Sequence, residues 1–167
     1  FGAASAVSLI NQYDNLLITR SFSKSHALAG LRVGYALAHA NLVEGLRRVK
    51  DSFNSYPVDA YAQCVATAAV SDSAWFAEAS ATVKENRAEL AAGLAQLGFS
   101  VLPSHANFVL ASHPEHTGMV LTEYLKTQNV LVRSWSSDEL LPWVRITVGT
   151  KDQQARLLSA LADYLND

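Results

Sequence analysis

Between residues 16 and 36 the chain changes character twice, and few folds accommodate both changes. Leu16-Leu17-Ile18-Thr19-Arg20 is a short apolar run that reads as a strand, and it breaks at once into Ser21-Phe22-Ser23-Lys24. An apolar run ending abruptly in hydroxyls and an amine is how a buried strand delivers polar side chains to its end. Arg32 follows eight residues after Lys24, between Gly30 and Gly34, where glycine turns let side chains converge from a compact loop. Two hydroxyls and a guanidinium make a chemically sensible phosphate cradle, because the planar fork of arginine grips phosphate oxygens two at a time. A lysine beside such a cradle is a candidate Schiff-base nucleophile for a phosphate-bearing aldehyde. Taken singly, Lys24 and Arg32 read more simply as surface charges.

The flanking segments place this stretch in an α/β context. A small-residue segment with a short helix around residues 4–12 leads through Asp14-Asn15, a turn pair, into the strand. Residues 33–38 read as a second short buried strand. Asn41 with Glu44 then forms a capping-box-like start for a helix through Lys50. Strand, loop, strand, helix belongs to a sheet whose ligands gather at strand ends.

Pro57 is placed to open the next helix, an Ala-rich one reaching about Val70. Ser71-Asp72-Ser73 interrupts it. A longer helix follows to about Leu97, with Phe76, Val83, Leu90, Leu94 and Leu97 on one stripe and Gly98 as its stop. This helical stretch reads as the arm joining two domains, with the boundary near Pro57. Residues 99–102, 107–111, 130–133 and 144–148 are strand candidates. Residues 117–127 read as a helix with Met119, Val120, Tyr124 and Leu125 as its apolar positions. Thr150 with Gln153 caps a last helix that turns Leu157, Leu158, Leu161, Tyr164 and Leu165 inward. There is no internal repeat and no low-complexity segment.

Composition narrows the function classes. The chain has 167 residues, half of them apolar, enough for a substantial core. A net charge of −2 from mixed signs argues against nucleic acid or an anionic membrane as partner. No apolar run approaches the roughly 20 residues that span a bilayer, and no signal-peptide pattern opens the chain. Cys64, alone, cannot form an internal disulfide, consistent with a reducing compartment, and in an Ala-rich helix it is expected to be buried.

Other polar residues could carry chemistry. Arg133 ends Val130-Leu131-Val132-Arg133, and Arg145 lies inside Trp143-Val144-Arg145-Ile146. An arginine among strand aliphatics is costly unless its charge is compensated, although alternation alone could point it to solvent. His113 and His116 are three apart with His105 nearby. No carboxylate or cysteine reads as arranged with them and Pro114-Glu115 suggests a solvated loop, so no metal site is expected. His26 reads as a loop residue.

Ser-Phe-Ser-Lys followed by Ala-Gly-Leu-Arg-Val-Gly-Tyr resembles the cofactor-lysine signature of class I/II aminotransferases of fold type I, closest to their histidinol-phosphate aminotransferase branch. The resemblance implies that Lys24 is the catalytic lysine bonded to pyridoxal 5'-phosphate, and that Ser21, Ser23 and Arg32 hold the cofactor's phosphate. Val-Arg-Ile-Thr-Val-Gly-Thr resembles the family's C-terminal motif, which makes Arg145 the ligand of the substrate α-carboxylate. Arg133 matches a position that looks like part of the substrate-phosphate site. Residues 103–108 also resemble the family, with Asn107 read as structural.

The implied fold is the C-terminal part of a pyridoxal-phosphate-dependent transferase. Residues 1–55 would belong to the large cofactor-binding domain, 56–98 to an interdomain helical segment, and 99–167 to a small α/β domain. The implied reaction moves an amino group between L-histidinol phosphate and 2-oxoglutarate, in a cytoplasmic homodimer. Threonine-phosphate decarboxylases and aromatic aminotransferases share the lysine and both arginines, and a non-catalytic α/β domain could retain the signature. The resemblance begins after the family's ring-contacting aspartate and tyrosine, its glycine-rich phosphate turn and its substrate-covering N-terminal segment. The expectation is therefore a fragment that does not assemble a complete active site, with at most weak cofactor binding.

Overall fold

In the computed structural model, residues 1–166 are described. Leu17–Ser21 (β1) and Gly34–Ala38 (β2) pair antiparallel, from Leu17 opposite Ala38 to Ser21 opposite Gly34. Among the described residues these strands pair only with each other. Buried strands were expected, but no residue of either is buried: β1 is largely exposed and β2 is half-buried from Ala36 to Ala38, as a two-stranded ribbon leaves faces uncovered. The short helix expected before β1 is present as a 3-10 helix, Ala6–Asn11, with the Ser5 hydroxyl accepting from Val7 N at 3.3 Å.

Three helices follow: Ala40–Phe53 (α2), Ala60–Ser71 (α3) and Ser73–Gln96 (α4). Two caps differ from expectation. His39 caps α2, its Nδ1 accepting from Asn41 N at 3.4 Å, while Glu44 pairs with Arg48 at 3.0 Å. Asp59 caps α3 by accepting from Ala62 N at 2.8 Å, which leaves Pro57 ahead of the helix. On α3 the buried face is Ala62 and Ala66. Cys64, two residues round from Ala62 and so nearly opposite it, is exposed and not buried. No residue of α2 is buried, and its apolar positions Val43, Leu46, Val49 and Phe53 are exposed.

The chain forms two units, one of Ala3–Glu78 and one running from Ala79 onward together with Phe1–Gly2. In the second, Ser100–Val101 (β3), Phe108–Ser112 (β4) and Trp143–Thr147 (β5) make an antiparallel sheet in the order β3-β4-β5. Gly118–Thr127 (α5) and Lys151–Asn166 (α6) complete the unit. Its core joins Leu90 and Leu94 of α4, Val109 and Ala111 of β4, Val144 and Ile146 of β5, Leu121 and Leu125 of α5, and Leu157 and Leu161 of α6. On α5 the buried stripe is Leu121 and Leu125, while Met119 and Val120, expected to be apolar contacts, are exposed. Residues 130–133 form no strand: only Arg133 bridges to Arg145.

Both helix stops before strand-like segments use the same device. Gly98 (φ +83°) follows α4, with Phe99 N bonded to Leu94 O and Gly98 N to Ala95 O, each at 3.1 Å. Asn129 (φ 56°) repeats the pattern after α5, with Val130 N on Leu125 O at 2.9 Å. At the start of α6 the expected capping box is present. Thr150 N donates to Gln153 Oε1 at 3.0 Å and Gln153 N to Thr150 Oγ1 at 3.3 Å.

Gly118 sits where a β-carbon would collide with the backbone carbonyl of Trp143. Gly118→Ala should therefore push α5 off β5 and destabilise the fold by about 1–3 kcal/mol, read as a lower urea midpoint with unchanged slope. On the surface, Lys151 bonds Glu85 at 2.8 Å and Glu89 at 3.0 Å. The hydrogen bond donated by Lys151 holds the Glu85 carboxyl below its ordinary range, and donating to Glu85 and Glu89 holds the Lys151 ammonium above its own. A depressed carboxyl contributes stability above its unfolded pKa, about 4.3, and loses it as pH falls through the folded value. Lys151→Met should accordingly flatten the acid limb of the stability–pH curve, measured by urea melts from neutral pH downward.

Candidate functional site

The lysine loop is built by the β1–β2 ribbon. Ser21 ends β1 opposite Gly34 and its hydroxyl accepts from Ser23 N at 3.1 Å, capping the four-residue helix Phe22–Ser25 (α1) that carries Lys24. Phe22 anchors the turn: its side chain is buried and its N–H bonds Val33 O at 3.1 Å. The Phe22 carbonyl accepts from His26 N and Leu28 N, closing the loop back on itself. Residues 21–24 and 32–34 thus share one end of the ribbon.

Left-handed backbone in this loop falls on Ala27 (φ 56°) and Arg32 (φ 54°), and not on the flanking glycines. Gly30 and Gly34 take no left-handed conformation; Gly34 is needed because a β-carbon there would lie 2.7 Å from Arg20 O across the ribbon. A non-glycine residue in this region costs of the order of 1 kcal/mol or more, and such strain gathers at ligand sites. Arg32 spends one Nη1–H on Ala29 O at 2.9 Å, and the rest of its guanidinium fork is exposed. Lys24 is exposed, and its ammonium has no hydrogen-bond or ion-pair partner among the described residues. The loop's donor set of two hydroxyls, a guanidinium and a free amine suits a phosphorylated carbonyl compound.

His26, left without a role by sequence reading, braces this turn. Its Nδ1 lies 2.8 Å from Ser25 Oγ, which donates to Ser21 O at 3.1 Å. Its ring packs against Phe22 at 5.0 Å and stacks on Phe76 at 5.1 Å. The sequence signal was there in Trp75-Phe76, aromatics close to the start of a helix.

In the unit from Ala79 onward, Arg145 and Arg133 are directly opposed. Arg133 N donates to Arg145 O at 3.1 Å and Arg145 N to Arg133 O at 2.7 Å. Opposed residues of an antiparallel pair turn their side chains to one face. That face is the one Val144 and Ile146 do not use, since those two are buried in the core. Arg145 lies over the Phe108 ring at 5.2 Å and Arg133 over Trp135 at 5.6 Å. Neither guanidinium has a carboxylate partner among the described residues. Two like charges facing each other on one strand pair cost stability unless an anion bridges them.

Sequence reading missed what holds this region in place. Asn86 Nδ2 and Gln154 Nε2 both donate to Gly149 O, at 2.9 and 3.2 Å, pinning the chain just after β5. Arg87 bonds Ala106 O at 2.8 Å and Phe1 O at 3.2 Å. The histidine loop also differs from expectation: a carboxylate oxygen of Glu115 does gather with ring nitrogens of His113 and His116.

Residues 1–161 match the family model for aminotransferase class I and II. The histidinol-phosphate aminotransferase of Acetobacter pasteurianus is 53% identical over 165 residues, 99% of this chain and 46% of that relative. The crystal structure of the histidinol-phosphate aminotransferase from Clostridium acetobutylicum superposes with a TM-score of 0.87 at 25% identity, over 97% of this chain and 49% of that one. The enzyme of that name from Sinorhizobium meliloti, solved in complex with pyridoxal-5'-phosphate, gives 0.79 at 22% identity, over 96% and 44%. The chain spans about half the length of the curated relatives it matches.

The opposed arginines generate a direct test. Inorganic phosphate should raise the melting temperature of the wild-type chain more than that of Arg133→Gln, while at low phosphate the variant should match or slightly exceed wild type. Equal phosphate responses would show that the pair does not act as an anion site.

Proposed function

The chain belongs to the class I and II aminotransferases, with the fold type I architecture of that pyridoxal-phosphate-dependent family, and from that premise we propose that its protein is a histidinol-phosphate aminotransferase. The reaction is amino-group transfer between L-histidinol phosphate and 2-oxoglutarate. The single observation that carries it is the Arg133–Arg145 pair, two uncompensated guanidiniums on one face of a strand pair. One reaction partner offers a phosphate and no carboxylate; the other offers carboxylates and no phosphate. A pair of forks serves both, with Arg145 on the α-carboxylate and Arg133 on the substrate phosphate. The identity to relatives bearing this enzyme name supports the same reading.

Pyridoxal 5'-phosphate, when bound, supplies the electron sink that lets the substrate's Cα–H bond ionise. Ser21, Ser23 and Arg32 hold its phosphate, a role their hydroxyls and free guanidinium edge suit. Lys24 Nζ would accept the proton leaving the substrate's Cα and deliver it to the cofactor's C4' carbon, with the transfer reversed in the second half-reaction. An amine without other partners is free to move between those tasks. On the same reading residues 1–55 belong to the large cofactor-binding domain, 56–98 link it onward, and 99–167 form the small domain. A second copy of the protein is the expected partner, as the family resemblance implies. Among the described residues no helix is long and apolar enough to cross a membrane, and we assign the enzyme to the cytoplasm.

In the full-length protein, Lys24→Ala should abolish the visible absorbance of bound cofactor and cut turnover by at least roughly 10²–10⁴-fold. Retention of both would refute the assignment of Lys24. A substrate panel then separates the reactions. Keto-acid release dependent on 2-oxoglutarate is expected with histidinol phosphate, whereas carbon dioxide release from threonine phosphate would make the protein a decarboxylase.

A further inference from the structure

The loop between β4 and α5 holds a cluster that the aminotransferase reaction does not use. Ring nitrogens of His113 and His116 and a carboxylate oxygen of Glu115 lie within 4.8 Å of one another. The two imidazoles stack at 5.1 Å with 29° between their planes. Each is backed by an aromatic ring. His113 meets the edge of buried Phe99 at 5.0 Å, and His116 meets Tyr164 of α6 at 5.1 Å. Gly98 gives His113 room, since a β-carbon there would come within 3.3 Å of Nε2. Both rings are half-buried and fixed from behind, while Glu115 is exposed and has no basic partner among the described residues.

His113 Nδ1 accepts from Glu115 N at 3.3 Å, so in the neutral ring its lone pair already points into the loop. That bond is long and weak, and a cation can replace it at small cost. We propose that His113, Glu115 and His116 form a three-ligand site for a borderline divalent transition cation, Zn²⁺ or Ni²⁺. Two imidazoles and one carboxylate are the donor set such ions prefer over Mg²⁺ or Ca²⁺, which take oxygen. Ligand bonds of about 2.0–2.2 Å bring tetrahedral donors roughly 3.3 Å apart. The three donors must therefore draw together by up to about 1.5 Å, which takes rotation of the exposed Glu115 side chain and a small tilt of the two half-buried imidazoles. Water fills the remaining position. The site stands apart from the lysine loop and from the arginine pair in residues, and it does not depend on the reaction proposed above.

Isothermal calorimetry with ZnCl₂ alone, in chelator-free and phosphate-free buffer, tests it on the full chain. One saturable Zn²⁺ per chain is expected. His116→Asn should remove it, and Glu115→Gln, an exposed near-isosteric change, should weaken it at least ~10-fold, because losing even an outer-shell partner of a metal ligand costs that much. Circular dichroism confirms that each variant keeps its fold; should His116→Asn lose it, Glu115→Gln decides alone. Absence of saturable binding, or binding undiminished in a folded variant of either kind, overturns the proposal.

Discussion

Alternation along β5 governs the chemistry available to the unit from Ala79 onward. Val144 and Ile146 are driven into a core shared with Leu90, Leu94, Leu121, Leu125, Leu157 and Leu161. A strand has only two faces, so burying those two residues forces Trp143, Arg145 and Thr147 to the other. Slipping the register by one residue would bury the Arg145 guanidinium and expose two aliphatics, at a cost no local contact offsets. Pairing with Arg133 then follows from the same ladder, whose two mutual hydrogen bonds set the arginines side by side. Aromatic rings under both guanidiniums, Phe108 and Trp135, hold the cations without neutralising them. A charge kept unpaired in this way is held ready for an anion from solution.

The lysine loop solves the opposite problem, presenting reactive groups from a segment with little core of its own. Its order comes from one buried side chain, Phe22, and a knot of backbone bonds around that residue's N–H and carbonyl. Ser21 does two jobs at once: its hydroxyl caps α1 and its carbonyl receives Ser25. His26 ties Ser25 to the rings of Phe22 and Phe76. The strained left-handed conformations of Ala27 and Arg32 persist because these bonds over-determine the loop. Arg32 directly precedes Val33, whose carbonyl accepts from Phe22 N, so its backbone lies at the end of the ribbon that also carries Ser21.

Much of this was legible in residue order, and the misreadings share a cause. Gly98 as a helix stop and the Thr150–Gln153 capping box depend on residues a few positions apart, and both stand as read. Cys64 was misplaced because an Ala-rich helix has no strong stripe, so nothing local says which of its faces is buried. Met119 and Val120 misled for the converse reason: they are apolar, but Leu121 and Leu125 are the pair that reaches the core. Residues 130–133 carry a good strand pattern yet make a single bridge, since the Asn129 turn and the pairing at Arg133 leave only that point of contact. Glu115 was discounted as solvated. Its meeting with two histidines arises from how Phe99 and Tyr164 orient the rings, and both lie well away in sequence.

By itself the sequence determined what hydrogen bonding over a few residues can encode, the Gly98 helix stop and the Thr150–Gln153 capping box, together with the Ser-Phe-Ser-Lys and Val-Arg-Ile-Thr-Val-Gly-Thr patterns by which the chain resembles its family. Tertiary structure alone decided which arginine opposes which, that Arg32 and not a neighbouring glycine takes the left-handed turn, and which carboxylate joins the histidines. These depend on the packing of residues far apart in the chain, whose relative positions are set by the shared core and not by any local preference.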